Sequence, residues 1–249
     1  MKIGILGTGH IGKTLVLALS GAGHTVKVAN SRDPETIGPD VLARGGRAVF
    51  AAEAMDGVDV AILSLPLSHI PAVAPLIAQL AADTVVIDTS NYYPVRDGRI
   101  DAIDAGQPES KWVVEQLGRP IVKAWNAIGS DSLARLNKPA GSPYRIAIPV
   151  AADDQRDREV GLKLVEETGF DAFDAGVLDN SWRQHPGTPC YCTDLTREEM
   201  AVALADADAE RAPKRRDLAF AAVIERMTGS GARDPSAEFL VRLNRALFM

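Results

Sequence analysis

The chain of 249 residues is 46% hydrophobic and 24% charged, with a formal net charge of −6. That length supports one large α/β domain, or a larger domain with a smaller one attached, of ordinary globular composition. The acidic balance argues against a general binder of nucleic acid or of anionic membranes, which needs a basic surface; it still allows a local basic pocket.

In chain order, KIGIL (2–6) is strand-like, and KTLVLALSGAG reads as a helix closed by glycine. HTVKVAN (24–30) alternates as a strand, PETIGPDVLARG is a weak helix broken at Gly38-Pro39, and RAVF (47–50) is a short strand. AAEAM (51–55) forms a helical turn, DVAILSLP (59–66) a buried strand, HIPAVAPLIAQLA a helix, and DTVVIDTSN (83–91) another buried strand. YYPVRDGRIDAIDAGQP (92–108) is the longest irregular stretch and, as such, a candidate functional loop. ESKWVVEQLG is then expected as a helix, RPIVKAWNAIG (119–129) as a strand and YRIAIPVAA (144–152) as a further strand. REVGLKLVEETG reads as an amphipathic helix and FDAFDAG (170–176) as a short strand. From about residue 195 the chain is mainly helical, through TREEMAVALADADAERA, RRDLAFAAVIERMTG and PSAEFLVRLNRALFM. Strand–helix alternation with Val/Ile-rich strands implies a doubly wound, Rossmann-type parallel sheet covered on both faces. We therefore expect an α/β fold with a dinucleotide-binding domain over 1–150 and a smaller, mainly helical region over 151–249.

Gly7-Thr8-Gly9-His10-Ile11-Gly12 is a G-x-G-x-x-G loop that directly follows the first strand and opens the first helix, as the dinucleotide fingerprint requires. Gly7 permits the tight turn, Gly9 lets backbone approach a pyrophosphate, and Gly12 allows close helix–sheet packing. The helix N-terminus then faces the anion. The second strand ends not on the acid that accepts both ribose hydroxyls of NAD, but on Asn30-Ser31-Arg32. A neutral residue, a hydroxyl donor and a planar cation suit the 2′-phosphate of NADP. Loops at the carboxyl ends of later strands should line the same crevice: Ser64-Leu65-Pro66 with His69, then Ser90-Asn91, then Asn126-Ala127.

With those motifs in place, the chain resembles the NADP oxidoreductases that depend on the deazaflavin coenzyme F-420. The resemblance rests on L-G-T-G-x-[IL]-G-K at 6–13, the Ser-Arg at 31–32, L-[PS]-x-x-H around 65–69, and D-A-G-x-L-x-N-S at 174–181. It implies direct hydride transfer between stacked nicotinamide and deazaflavin rings, where positioning matters more than a proton-relay side chain. It also implies NADP contacts from Thr8, Gly9, His10, Ile11, Ser31, Arg32, Leu65 and His69. SWRQHPGTPCYCTDL (181–195) and the C-terminal 50 or so residues depart from the pattern of that family. The hydride acceptor therefore stays open between coenzyme F-420, a flavin, and a small carbonyl, imine or 3-hydroxyacid-type substrate. A non-catalytic NADPH-binding redox sensor is a third possibility.

Lys123 and Asn126 share the K-x-x-N spacing of β-hydroxyacid dehydrogenases, where the lysine protonates the substrate oxygen. There the pair lies on a helix; on the strand expected here, residues three apart face opposite ways. Asn126 is the better candidate at the hydride site, with Lys123 as a structural residue. Trp182, Arg183 and His185 are candidates for binding a phosphate or carboxylate of the second substrate. RAPKRR (211–216) reads as a solvated helix start.

Cys190 and Cys192 are the only cysteines, which suggests a reducing, cytoplasmic setting. Cys-Tyr-Cys lacks a second ligand pair, and His10, His24, His69 and His185 are scattered, so no metal is expected. MKIGILGTGHIGKTLVLALSGAG superficially resembles a signal peptide, but its glycines and His10 belong to the phosphate loop. No apolar run of about 20 residues predicts a membrane span. Apolar faces on the C-terminal helices suggest a homodimer.

Overall fold

In a computed structural model, which describes residues 1–228 and 236–249, eight strands form one sheet in the order β3-β2-β1-β4-β5-β6-β7-β8. They are β1 (Lys2–Leu6), β2 (Thr25–Ala29), β3 (Arg47–Ala48), β4 (Val60–Leu63), β5 (Val85–Asp88), β6 (Val122–Lys123), β7 (Ala147–Ala152) and β8 (Asp171–Asp174). The first six are parallel, β7 runs antiparallel to β6, and β8 is parallel to β7. The order reverses between β1 and β4, so the carboxyl ends of those strands diverge and leave a crevice.

The period-2 pattern of each strand sorts its side chains between two cores. Ile3, Ile5, Val28, Ile62 and Ile87 point to one face and pack with Leu15, Val16 and Leu19 of α1 (His10–Gly21) and Leu164 and Val165 of α9 (Gln155–Glu167). Leu6, Ala61, Leu63 and Val86 point to the other. That face is covered by α3 (Ala51–Met55), α4 (Ile70–Ile77) and α7 (Glu109–Leu117). Each fully buried aliphatic side chain contributes roughly 1.5–3 kcal/mol, so this two-sided burial is the main stabilising term. The remaining helical turns on the sheet's connections are α2 (Pro39–Leu42) and α8 (Ser130–Arg135).

Beyond β8 the chain is helical: a 3-10 turn (Leu178–Gln184), then α10 (Arg197–Ala205), α11 (Ala212–Met227) and α12 (Ala237–Phe248). Thr196 opens α10 with a capping box to Glu199. Gly229 and Pro235, at the ends of the last two expected helices, lie outside the described residues. A third core joins this region to the sheet through Ala127, Ala147, Cys190, Tyr191, Leu195, Met200 and Phe248.

Two expectations need correction. The strand expected over 119–129 is only Val122–Lys123, because Trp125 adopts φ +56° and turns the chain away from the ladder. That turn is held by a fully buried indole whose Nε1 donates to Thr168 Oγ1 at 3.3 Å. The stretch 92–108 is not irregular throughout: it contains two single-turn helices, α5 (Pro94–Asp97) and α6 (Asp101–Asp104).

At the carboxyl ends of β5 and β6, Lys123 and Asp88 are both fully buried. Lys123 Nζ donates to Asp88 Oδ2 at 2.7 Å and to the Ser90 carbonyl at 2.6 Å. Removing one partner strands the other charge in the core. Lys123→Met should therefore destabilise the chain by about 3–5 kcal/mol in urea unfolding, and adding Asp88→Leu should restore part of that loss.

Candidate functional site

The glycine loop has the backbone of a phosphate cradle. Gly7 sits at φ +110°, its N–H donates to the Ala29 carbonyl at 2.8 Å, and a Cβ there would lie 2.1 Å from the Ser64 carbonyl oxygen. A Cβ on Gly12 would lie 2.1 Å from the Gly7 carbonyl oxygen, so α1 approaches β1 as closely as backbones permit. At Gly9 a Cβ would meet nothing within 4 Å. That glycine is therefore not required by packing, and its exposed backbone faces the crevice. Gly9 is the N-cap of α1, no side chain caps the helix, and no acid lies in its first turn. These free N–H groups and the helix dipole suit an anion. Thr8 and Ile11 are half-buried beside the loop and His10 is exposed.

Asn30 has a conformational role at the end of β2. Its Oδ1 accepts from the Arg32 N–H at 2.8 Å and its Nδ2 donates to Thr36 Oγ1 at 3.0 Å, an Asx-type turn that projects Ser31 and Arg32 outward. Both are exposed, and among the described residues neither side chain has a hydrogen-bond partner. Across the crevice, the Ser64 N–H donates to the Leu6 carbonyl, Leu65 is half-buried, and Pro66 leads a 3-10 turn (Leu67–His69) that leaves His69 exposed.

Deeper along the strand ends, the expected residues part company. Ser90 is buried and turned inward: its N–H donates to Asp88 Oδ1, its carbonyl accepts from Lys123, and its hydroxyl has no partner. Asn91 and Asn126 come together instead. Asn91 Nδ2 donates to the Asn126 carbonyl at 2.9 Å, and Asn126 Nδ2 donates to Asn91 Oδ1 at 3.1 Å and to the Gln184 carbonyl at 2.8 Å. Gln184 Nε2 returns a bond to Asn126 Oδ1 at 2.8 Å. Lys123 is bonded instead to Asp88 and the Ser90 carbonyl, and because β6 ends at Lys123 the two residues of the K-x-x-N spacing do not share a strand as expected. Ala127 is a joint rather than a wall: its carbonyl accepts from the Cys192 N–H at 2.8 Å.

Asn91 and Asn126 line a cavity of about 310 Å³ bounded by Ile11, Thr89, Tyr93, Arg96, Tyr191 and the helices α11 and α12. Tyr93 Oη donates to Tyr191 Oη at 2.9 Å, and burial raises both hydroxyls well above the ordinary range, so both stay protonated. A larger cavity of about 750 Å³ adjoins it, lined by Tyr92, α6, Glu109, Trp182, His185 and the start of α11. The two share Pro186 and Arg216.

Of the three residues expected to bind the second substrate, Trp182 and His185 line the larger cavity. Arg183 is engaged elsewhere: it stacks 4.5 Å from the Trp182 ring, and its Nη1 donates to the Leu204 carbonyl at the end of α10 at 2.9 Å. His185 Nδ1 lies 3.5 Å from Glu109 Oε1 in a buried pair. Burial, with the nearby Lys123 charge, holds the imidazole neutral, while burial pushes Glu109 up to about 7, partly offset by Lys123. His185 Nε2 and Glu109 Oε2 have no hydrogen-bond partner among the described residues.

Sequence reasoning missed Tyr93, Tyr191, Arg96, Glu109 and Arg216. A signal for Arg216 was present: Ala212, Arg216, Ala219 and Val223 recur at helical spacing, which places the arginine in an otherwise apolar stripe. Cys190 and Cys192 are free thiols. No group of three metal-binding side chains occurs among the described residues, and none of their helices is long and apolar enough to cross a membrane.

The mostly parallel sheet, its order reversal and the glycine cradle are those of the dinucleotide-binding fold on which NAD(P)-dependent dehydrogenases and reductases are built. Residues 2–92 match the family described as NADP oxidoreductase, coenzyme F420-dependent. The D-A-G-x-L-x-N-S stretch lies outside the matched residues; there Ser181 Oγ donates to Ser110 Oγ at 2.9 Å. A 62-residue stretch is 44% identical to the protein YjhV of Escherichia coli strain K12, covering 25% of this chain and 45% of that protein. The chain thus spans less than half the length of that curated relative. Among solved structures, a hypothetical protein, SMa0349, of Sinorhizobium meliloti superposes with a TM-score of 0.64 at 25% identity, over 79% of this chain and 93% of that one. A candidate F420-dependent NADP-reductase from Arthrobacter sp. FB24 shares the fold with a TM-score of 0.59 at 19% identity, over 73% of this chain and 87% of that one.

Two variants separate binding from packing in the glycine loop. Gly9→Ala should leave thermal unfolding unchanged yet weaken NADPH binding about tenfold or more, because the added methyl occupies the ligand's approach. Gly12→Ala should lower the melting temperature, since its methyl meets the Gly7 backbone. A third variant reports on Glu109, whose carboxyl rises from an ordinary 4.5 to about 7. A raised folded value stabilises the protein fully below about pH 4.5 and loses that contribution as pH rises through about 7. The stability of the unmutated chain, relative to Glu109→Gln, should therefore fall between those two pH values and level off above, as followed by urea unfolding.

Proposed function

We propose that the chain is an NADP-dependent oxidoreductase that catalyses hydride transfer between NADPH and an acceptor held in the 310 Å³ cavity, and that the acceptor is a deazaflavin or flavin. The observation that carries this reading is the position of the cavity. It opens beside Ile11, Thr89 and Asn126, at the strand ends where the nicotinamide end of a dinucleotide bound to the Gly7–Gly12 loop would lie. The cradle fits the group: Gly9 leaves room for a pyrophosphate, α1 presents free N–H groups, and the exposed Ser31 and Arg32 at the end of β2 support a contact with a ribose 2′-phosphate. Thr8, His10, Leu65, Pro66 and His69 border the path of the adenosine and pyrophosphate. Bound there, NADPH supplies the hydride.

The chain's own residues orient and enclose. The Asn91–Asn126–Gln184 network holds its amides in one arrangement, ready to receive a carboxamide or ring carbonyl. Phe220, Phe248 and Tyr191 exclude water. Lys123, sequestered by Asp88 and Ser90, supplies no proton to the cavity, which favours direct ring-to-ring transfer over lysine-assisted reduction. A second reading, reduction of a small carbonyl or imine, has one specific support: the protonated Tyr93–Tyr191 pair on the cavity wall could donate a proton. We assign cofactor binding to 1–150, and the acceptor side to 151–249 together with the strand-end residues Thr89, Asn91, Tyr93 and Asn126. The exposed Leu218, Ile224 and Met227 of α11 support a homodimer, and the two free thiols a reducing, cytoplasmic location.

Absorbance assays with NADPH and a panel of deazaflavin, flavin, carbonyl and imine acceptors test this. Turnover with the deazaflavin or flavin is expected; turnover with carbonyls alone would favour the second reading, and NADPH binding without any turnover would indicate a sensor. Arg32→Asp should weaken NADPH binding by about 2–4 kcal/mol through loss of a charged contact and added repulsion, with little effect on NADH. Equal affinity for NADPH and NADH in the unmutated protein would overturn the NADP assignment.

A further inference from the structure

Arg216 is only 8% exposed, although the other cations of its run, Arg211, Lys214 and Arg215, are exposed or half-buried. Its Nε donates to Asp217 Oδ1 at 2.8 Å, and its guanidinium lies 5.3 Å from the Tyr92 ring centroid. Among the described residues, no acceptor meets its two terminal nitrogens. Asp217 is itself more than half exposed, so it neutralises the guanidinium weakly. The terminal nitrogens of Arg216 thus keep unused hydrogen-bonding capacity, and they stand in the wall common to both cavities, of which the larger also carries Asp104, Glu109, Glu210 and Asp217. The lining of the smaller cavity includes a second cation, Arg96, and no aspartate or glutamate. Arg96 is already occupied by Asp97 and by the Asn91 carbonyl, which leaves Arg216 as the free fork.

We propose that Arg216 anchors an anionic group, a carboxylate or a phosphate ester, on the hydride acceptor. The inference rests on the hydride-transfer reading above and sharpens it: the second substrate is an anion, held where the two cavities meet. Its reacting part lies in the smaller cavity and any tail passes Pro186 into the larger one, along Trp182. The terminal nitrogens of an arginine bind either anion through two parallel hydrogen bonds, which a lysine at the same place does not reproduce. Arg183, the cation that the sequence favoured for this task, is spent on the end of α10.

The test is calorimetric titration of the NADP-saturated chain with two matched pairs of probes. FMN against riboflavin differs by a phosphate, and 2-oxobutanoate against butan-2-one by a carboxylate. In at least one pair, the anionic member should bind about tenfold more tightly or better, and Arg216→Met should bring the two within about twofold. The pair that responds identifies the anion. Arg216→Lys should keep part of the preference, and retained NADPH binding in both variants controls for folding. Absence of an anionic preference in both pairs, including absence of binding, overturns the proposal, as does a preference that survives Arg216→Met. NADPH oxidation by an acceptor at a rate indifferent to Arg216→Met would overturn this anchor while leaving the hydride-transfer reading intact.

Discussion

Lys123 and Asp88 meet at the carboxyl ends of two neighbouring strands, with no solvent on either side chain. An ion pair in such a place contributes little net stability, because the Coulombic gain offsets a large desolvation penalty. Its effect is on arrangement. Asp88 accepts from Lys123 and from the Ser90 N–H, and Lys123 also reaches the Ser90 carbonyl, so the exits of β5 and β6 are tied at one separation. Asn91 follows one exit and Asn126 the other. Their mutual hydrogen bonds require the separation that the buried pair maintains.

A second constraint acts at the other side of the crevice. The Gly7, Gly12 and Ser64 backbones approach so closely that a single methyl would collide at two of them. This brings the start of α1 against the order reversal of the sheet, where the divergence of β1 and β4 leaves space. Gly9 is the contrast: packing does not demand it, and its exposed backbone opens α1 where the proposed cofactor would approach. The cradle and the asparagine pair are thus built by different physics, backbone contact in one case and buried electrostatics in the other.

The C-terminal helices complete the site from above. Asn244 of α12 donates to the Tyr191 and Cys192 carbonyls, and Arg245 to the Thr193 carbonyl, which seats the 186–195 segment on the sheet. That segment carries Tyr191 to Tyr93 and lets Pro186 and Arg216 separate the two cavities. Enclosure of this kind strengthens each polar interaction inside by removing water.

Much of this was legible residue by residue. Apolar runs located β1 and β2 within one residue and β4 and β5 within three, since a strand buried on both faces must be apolar throughout. The glycine spacing located the tight contacts at Gly7 and Gly12, and the absence of an acid after β2 is the feature on which the proposed phosphate contact rests, because both are matters of local backbone and charge. The short β6 was not legible: a run of apolar residues does not reveal that Trp125 turns at positive φ to bury its indole against Thr168. The sequence alone determined the order of elements, the dinucleotide loop and the Ser31-Arg32 signature, all of which act within a few residues of themselves. Only the tertiary structure decided that Lys123 is bonded to Asp88 and Ser90, that Arg183 reaches the end of α10, and that Arg216 stands in the wall of both cavities. A side chain's partner is chosen across the fold by burial and available counter-charge, and no local pattern encodes that choice.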